Sequence, residues 1–204
     1  MIDVTRMQQR LLKAGYAIGL PDGVAGRQTM AGLLAHVAGR QMSAMLALGE
    51  GCAVHLPRFG LLDTAPRLAS WLGQAAHESG GFRYLREIWG PTDAQRRYEG
   101  RSDLGNSEPG DGKRFLGRGL FQVTGRANYN DMAMRTGLPL LDQPELVEQP
   151  ATAVLTACLY WQTRKLSLLA DAGRDDEITH RINGGENGIA ERRRLVARAK
   201  ALLI

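Results

Sequence analysis

Cysteine, aromatic residues and long apolar runs are all scarce in this chain of 204 residues. Its two cysteines, Cys52 and Cys158, are too few for a disulfide scaffold and lack the spacing of a zinc site, so we expect two buried free thiols. The longest apolar stretch, about 151–161, is well short of the roughly 18 residues that a membrane span requires. The amino terminus has neither the basic start nor the apolar core of an export signal. We therefore expect that the protein does not insert stably into a membrane. We also expect it to accumulate in the cytoplasm in which it is made.

Neither sign of charge dominates, and the excess of positive over negative residues is modest. Lys and Arg number 26 against 21 Asp and Glu, which leaves a net charge of +5. A charge of this size assists adsorption to anionic cell envelopes and to nucleic acid alike. Because no nucleic-acid-binding motif with fixed spacing accompanies it, we expect no nucleic-acid partner. The proportions of apolar residues, 44%, and charged residues, 23%, exclude a disordered or collagen-like chain.

Apolar residues recur with helical spacing through most of the sequence, which predicts a mainly α fold. Helices are predicted over residues 5–13, 29–37, 65–77, 150–163 and 189–203. Strand signals are weak and predict only a small β-hairpin within 115–124.

The last predicted helix, 189–203, is basic and amphipathic. Its apolar residues lie opposite a set of cations, namely Arg192, Arg193, Arg194, Arg198 and Lys200. Such a helix can perturb an outer membrane. We expect instead that it packs its apolar face on the core and leaves its arginines in water.

The strongest local signal for chemistry is the segment Ala-His-Glu-Ser-Gly-Gly at 76–81. Glu78 falls in the last turn of an apolar helix, where burial and the negative end of the helix dipole both favour the protonated carboxyl. A protonated carboxyl suits a general acid near neutral pH. The alternative is a surface carboxylate, solvated or paired with a nearby arginine.

A second carboxylate, Glu87, follows nine positions later. A continuous helix would place Glu78 and Glu87 on opposite faces, but Gly80-Gly81 permits the chain to reverse between them. Two carboxyl groups on opposite walls of a groove, one protonated and one ionised, are what inverting glycoside hydrolysis needs. The alternatives are Glu99 or Glu108 in the second role, or Glu87 as a salt-bridge partner of Arg83 or Arg86.

A glycine-rich stretch at 112–129 carries neutral polar side chains and two aromatic rings. Gln122, Thr124 and Asn128 suit sugar hydroxyl and acetamido groups, while Phe121 and Tyr129 offer apolar faces. If Gln122 and Thr124 share a strand face, both side chains point into one groove. A phosphate-binding loop is disfavoured because no Gly-Lys-Ser/Thr sequence is present.

From about residue 41 onward the chain resembles glycoside hydrolase family 19, the chitinase family whose phage members serve as endolysins. The resemblance is carried by three motifs in order, at 76–82, 117–124 and 182–185. It implies a lysozyme-like α-helical catalytic domain that inverts configuration and uses no metal and no cofactor.

The resemblance also implies roles for individual residues. Glu78 is the implied acid, Glu87 the implied base, and Thr124 stands where the family has a Ser or Thr that helps to hold the attacking water. Arg192 is expected near the acid pair. Contacts with substrate are implied for His77, Gln122, Asn128, Tyr129, Asn183 and Arg192.

The amino-terminal residues resemble a second family, the small helical peptidoglycan-binding domain. Its Asp-Gly-x-x-Gly-x-x-Thr loop corresponds to Asp22, Gly23, Gly26 and Thr29. This predicts a wall-binding module at 1–39 followed by a catalytic domain at 40–204. The alternative is that these helices merely extend the catalytic core.

These features together predict a monomeric phage endolysin that hydrolyses peptidoglycan glycan strands and lyses the host cell. Leu120 replaces a proline usual in plant chitinases, and the long inserts and disulfides of those enzymes are missing, which favours peptidoglycan over chitin. Passage to the periplasm through a separate holin is what the resemblance implies. A chitinase, a lytic transglycosylase and a non-catalytic wall-binding protein are the alternatives.

Overall fold

The computed structural model describes residues 1–204 and consists almost entirely of helices. The α-helices are Val4–Lys13 (α1), Arg27–Ala38 (α2), Leu46–Arg58 (α3), Ala65–Glu78 (α4), Asp93–Arg96 (α5), Asp111–Arg114 (α6), Arg126–Thr136 (α7), Pro150–Thr163 (α8), Leu166–Asp171 (α9), Asp175–Asn183 (α10) and Ile189–Leu203 (α11). Single 3₁₀ turns occur at Met42–Met45, Ser102–Leu104 and Pro144–Glu148. The predicted mainly α fold is confirmed. None of the helices combines the length and the apolar character that crossing a bilayer requires.

The predicted hairpin within 115–124 is present only as a tight turn. Its two arms meet in one isolated antiparallel bridge between Arg118 and Val123, and a second bridge joins Arg118 to Arg86. Gln122 adopts a left-handed backbone conformation, with φ of 53°, which interrupts any extended strand. The alternation of side chains expected from a strand therefore does not apply here.

Helix α4 begins and ends at strong local signals. The Thr64 hydroxyl accepts a hydrogen bond from the Arg67 backbone N–H at the first turn. After Glu78 the chain reverses through Gly80, Gly81 and Phe82, all left-handed, with φ of 59°, 70° and 61°. The two glycines adopt this conformation without strain, and they make the predicted reversal possible.

Two helix ends carry local sequence features. Pro57 lies inside the last turn of α3, which ends one residue later at Arg58. Asp175, in an acidic segment, is the first residue of α10. Acidic side chains in a first turn interact favourably with the positive end of the helix dipole.

One large hydrophobic core joins both ends of the chain. Leu11 of α1 and Leu33 of α2 belong to the same buried cluster as Trp71 of α4 and Val196 of α11. Residues 1–39 therefore share a core with the helices of the predicted catalytic domain, and no gap between two cores lies near residue 39. A smaller cluster is formed by Phe115, Tyr129, Met132, Leu140, Val147 and Leu159. Both cysteines are buried and free, as predicted.

Helices α4 and α11 pack antiparallel with their backbones in close approach. A methyl group added at Gly73 would lie 2.4 Å from Cγ2 of Val196 and 2.8 Å from its backbone nitrogen. Only glycine permits this approach. Arg192, one turn before Val196, is thereby brought to the carboxyl end of α4, where Glu78 lies.

Candidate active site

The carboxyl ends of α4, α8 and α10, one side of α7 and the loop at 121–123 line a groove of about 350 Å³. Its lining comprises Glu78, Phe121, Gln122, Val123, Asn128, Asp131, Met132, Tyr160, Thr163, Arg164, Ile182 and Asn183. The volume lies within the range of sites that bind small molecules. The lining mixes one carboxyl group suited to acid catalysis with amides and aromatic faces, which is a chemistry suited to sugars.

Glu78 is held in this groove by a buried arginine. Its Oε1 is paired with Nη2 of Arg192, and its Oε2 accepts no hydrogen bond from the protein. The Arg192 side chain is only 3% exposed and donates further hydrogen bonds to Oε1 of Gln74 and to the carbonyl of Asn187. The amphipathic pattern of α11 predicted that Arg192 faces water with the other arginines, and this is wrong. Arg192 lies beside Glu78, as the family resemblance implied. Its guanidinium orients the carboxyl group.

Glu87 lies outside the groove lining and is held by three neutral donors. Its Oε1 accepts from Nε2 of Gln95 at 2.9 Å and from the Tyr98 hydroxyl at 3.3 Å. Its Oε2 accepts from the backbone N–H of Gly117 at 3.2 Å. Burial and the neighbouring charge of Glu87 raise the pKa of the Tyr98 phenol, so this hydroxyl stays a donor.

Gly117 connects Glu87 to the groove wall. A methyl group at Gly117 would lie 2.3 Å from Oε1 of Gln122 and 3.1 Å from Oγ1 of Thr124. Gln122 lines the groove, whereas Thr124 lies beside it and donates a hydrogen bond to the Gln122 carbonyl. Glu87, Gln122 and Thr124 therefore surround one glycine, with Gln122 between that glycine and the groove.

The other candidates for the second carboxylate have different surroundings. Both oxygens of Glu99 accept backbone N–H groups, from Gly110 at 2.6 Å and from Gly112 at 2.9 Å, so Glu99 shapes the turn into α6. Glu108 is exposed. Neither Arg83 nor Arg86 pairs with Glu87, and Arg86 lies 4.0 Å from Glu148 instead. Glu87 as the base remains a prediction, and the geometry favours it over these two.

The structure separates the predicted substrate contacts into two groups. Asn128 and Asn183 line the groove together with Gln122. His77 does not line it; its Nδ1 lies 2.9 Å from Oε2 of Glu191, and its ring packs against Gly188 at the start of α11. His77 therefore braces α4 against α11.

Tyr129 was predicted to contact sugar, and the structure contradicts this. The residue is fully buried in the smaller core. Its hydroxyl donates to the carbonyl of Leu116 at 2.9 Å and accepts from Nη1 of Arg118 at 2.9 Å. Burial raises its pKa to about 12. Because the side chain has 0% exposure, neither face of the ring is available to a ligand.

Tyr160 and Arg164 are among the groove residues that the sequence did not reveal. Tyr160 stacks on Phe121 with ring centroids 5.2 Å apart, and the Arg164 guanidinium lies 3.7 Å from the Tyr160 ring centroid. The i, i+4 spacing of an aromatic residue and an arginine at the end of the helix 150–163 was the available signal. That spacing predicts a contact between the two side chains but does not show that they lie beside a groove.

The amino-terminal loop motif is held together by a buried glutamine. Nε2 of Gln8 donates to Oδ1 of Asp22 at 2.8 Å and to Oγ1 of Thr29 at 3.0 Å. Gly23 is left-handed, with φ of 79°, and Gly26 precedes the first residue of α2. The hydrogen bond from Gln8 lowers the pKa of Asp22. Asp22 and Thr29 thus maintain the shape of the loop, and their wall-binding role remains a prediction.

The family model described as chitinase class I, that of glycoside hydrolase family 19, matches residues 63–170, just over half of the chain. The chain belongs to glycoside hydrolase family 19. This family 19 protein is 33% identical over 155 residues to a glycosyl hydrolase family 19 domain-containing protein of Haemophilus influenzae, a match that covers 62% of this chain and 75% of the relative. It is 34% identical over 119 residues to an endochitinase of Arabidopsis thaliana, covering 58% of this chain and 40% of the plant protein. The chain thus spans about two fifths of that plant relative. By family it is a glycoside hydrolase of the chitinase type.

Solved structures show the same fold. A bacterial family 19 chitinase superimposes with a TM-score of 0.67 at 22% identity, covering 84% of this chain and 92% of the other. Chitinase C from Streptomyces griseus gives a TM-score of 0.58 at 19% identity, covering 99% and 76%. The lysozyme-like helical architecture expected from the resemblance is confirmed.

Proposed function

We propose that this family 19 protein hydrolyses the glycosidic bonds of peptidoglycan glycan strands by general acid/base catalysis. The observation that carries the proposal is the state of Glu78 in the groove: one carboxyl oxygen is fixed by Arg192 and the other is free of protein partners. The biological role that fits this activity is that of a monomeric phage endolysin, which reaches the wall from the host cytoplasm through a holin pore.

In the proposed reaction, Oε2 of Glu78 gives its proton to the bridging oxygen as the bond from that oxygen to the anomeric carbon breaks. Glu87 takes a proton from a water molecule, and the hydroxide attacks the anomeric carbon from the opposite face. The products are a new reducing end of inverted configuration and a free hydroxyl group on the leaving sugar. In this proposal Thr124 and Gln122, which approach Gly117 next to Glu87, orient the water.

Arg164 supports peptidoglycan as the substrate. The other charged side chains that line the groove are paired, Glu78 with Arg192 and Asp131 with Arg135, whereas Arg164 has no carboxylate within 4.0 Å. Chitin is neutral, while the muramic acid of peptidoglycan carries a lactyl-linked peptide with carboxylates. The Arg164 cation at the groove therefore attracts an anionic peptidoglycan strand more strongly than it attracts a neutral chitin strand.

Clearing of outer-membrane-permeabilised cells tests the catalytic part of the proposal. We expect wild type to lower the turbidity and Glu78→Gln to lose activity by a factor of about 10² to 10⁴, since general acid catalysis contributes that much. Glu145→Gln, an exposed carboxylate outside the groove, is the control with the same change of charge. If Glu78→Gln clears cells as well as wild type, the protein acts by binding and the proposal is wrong.

Product analysis and a second substrate test the specificity. We expect peptidoglycan to yield reducing ends without anhydro sugars, since an anhydro product would indicate a lytic transglycosylase. We expect Arg164→Gln to lower the rate on peptidoglycan about tenfold and to leave any rate on chitin oligosaccharides unchanged. Lys165→Gln removes the adjacent exposed cation, which does not line the groove, and is the control. Chitin hydrolysis that exceeds peptidoglycan hydrolysis would favour the second candidate, a chitinase, which the plant relatives support.

A further inference from the structure

We infer that Gln95 is a positioning residue for the catalytic base: its buried amide holds Glu87 so that Oε2 is the atom that accepts the proton from water. This inference rests on the proposed function, in which Glu87 is that base.

All four hydrogen bonds of the Gln95 amide are made inside the protein. Nε2 donates to Oε1 of Glu87 at 2.9 Å and to the carbonyl of Ile88 at 2.8 Å. Oε1 accepts from the backbone N–H groups of Gly90 at 3.1 Å and Thr92 at 2.8 Å. The residue is 3% exposed. Because an amide offers two donors and two acceptor positions, none is left over.

These partners also determine which way the amide faces. One side meets only acceptors, the Glu87 carboxylate and the Ile88 carbonyl, and the other meets only N–H donors. A flipped amide would set oxygen against oxygen on the first side and N–H against N–H on the other. The Gln95 side chain therefore has a single favourable orientation, and it presents an N–H to Glu87.

The two oxygens of Glu87 are consequently unlike. Oε1 accepts from Gln95 and from Tyr98, which occupies the two acceptor positions of a carboxylate oxygen. Oε2 accepts only from Gly117 and keeps one acceptor position. That oxygen lies on the side where Gln122 and Thr124 approach Gly117. The water that is activated is therefore bound at Oε2.

Neutral donors suit this task better than a cation. An arginine paired with Glu87 would hold the carboxylate but would also make it a poorer base. The two nearby arginines, Arg86 and Arg118, are instead directed to Glu148, at 4.0 Å and 2.7 Å. The orientation of Glu87 thus depends on Gln95, Tyr98 and a backbone N–H.

Gln95 also belongs to the cap of the short helix α5, so the test must separate positioning from local folding. Its backbone N–H donates to Oγ1 of Thr92 at 3.3 Å, in a capping box. Thr92→Val removes that side-chain cap and leaves the amide on Glu87. This variant is the matched control for Gln95→Met, which keeps the shape of the side chain and removes its hydrogen bonds.

The experiment measures kcat, KM and the pH dependence of kcat on soluble peptidoglycan fragments, with thermal unfolding in parallel. We expect Gln95→Met to lower kcat by a factor of about 10 to 100 with KM within about twofold, because misplacing a catalytic group by about 1 Å has an effect of that size. We also expect the acidic limb of its pH profile to move to higher pH, since the ionised base loses a donor. Gln95→Glu, which sets a second carboxylate against Glu87, should lower kcat further. Thr92→Val should lower the unfolding temperature and leave the pH profile in place.

Tyr98→Phe provides a second test if Gln95→Met does not fold. It removes the other donor to Oε1 without touching the α5 cap, and we expect a smaller loss of kcat with the same direction of shift in the pH profile. The inference is overturned if Gln95→Met retains wild-type kcat, or if it and Thr92→Val lower kcat equally with unmoved pH profiles. A wild type inactive on glycans, or an active Glu87→Gln, would instead overturn the proposed function itself.

Discussion

At the scale of single residues, Gly117 is the point at which the site is most crowded. Its N–H binds Oε2 of Glu87, and Gln122 and Thr124 approach the place where a side chain would begin. No left-handed conformation requires glycine here, because its φ is not positive. The requirement is for space between Glu87 and the groove wall.

We therefore expect Gly117→Ala to lower kcat strongly while the unfolding temperature changes little. The added methyl group displaces the Gln122 amide, which lies 2.3 Å from its position, and loosens the water site next to Glu87. The expected fall in kcat is about 10-fold to 100-fold. Glycan hydrolysis and thermal unfolding measure the two effects.

Gly137→Ala is the control for this prediction. Gly137 ends α7 in a left-handed conformation, with φ of 72°, and no atom lies within 4 Å of an added methyl group. We expect a loss of about 1 kcal/mol of stability from the backbone and no change in kcat. Equal loss of kcat in both variants would show that crowding at Gly117 is not the cause.

At the scale of elements, α11 has two different arginine faces. Arg192 points inward to Glu78 and Gln74, whereas the next residue, Arg193, pairs with Asp176 at the surface. The Arg193 side chain is 60% exposed and that of Arg192 is 3% exposed. One helix thus supplies both a buried partner for Glu78 and a surface ion pair.

Replacing these two arginines by glutamine should separate the roles. Arg192→Gln leaves Glu78 without its cationic partner, and we expect kcat to fall at least about tenfold, with a stability loss of roughly 3 kcal/mol for a broken buried pair. Arg193→Gln should change stability by less than about 1 kcal/mol and leave kcat unchanged. Hydrolysis rates and denaturant unfolding of both variants test this; equal kcat in the two would contradict it.

At the scale of the whole molecule, the amino-terminal helices share one hydrophobic core with the helices around Glu78. Met7, Leu11, Met30 and Leu33 are essentially inaccessible and belong to the core cluster that contains Trp71. The residues matched by the family model, 63–170, include neither these helices nor α11. The folded unit is larger than the segment that carries the family motifs.

A fragment of residues 40–204 is therefore expected not to fold cooperatively. Removing α1 and α2 exposes the apolar faces of the helices that they cover. Each Å² of apolar surface exposed to water lowers the stability of the fold by about 25 cal/mol. Circular dichroism on heating should show no cooperative transition. Asp22→Ala, which alters the loop and keeps both helices, should melt cooperatively. A fragment that melts like the full chain would show that residues 1–39 are an independent module.

Local signals explain how well the elements were predicted. The helices 150–163 and 189–203 were predicted with the bounds that α8 and α11 have. Their apolar period and their flanking breakers are features of neighbouring residues, and tertiary packing leaves such features unchanged. The family motifs are local in the same sense, which is why they identified Glu78 and the reversal that follows it.

The order of residues alone predicted that this protein is helical, that it carries the motifs of family 19, and that a carboxylate lies at the end of one of its helices. Three-dimensional packing was needed to establish that the Arg192 guanidinium is buried against Glu78, that Tyr129 is buried and that the first helices share one hydrophobic core with α4 and α11. Each of these depends on contacts between distant parts of the chain, such as the 114 positions that separate Arg192 from Glu78. Periodicity shows which face of a helix is apolar, but the neighbouring element decides what that face, and the polar residues at its edge, will touch.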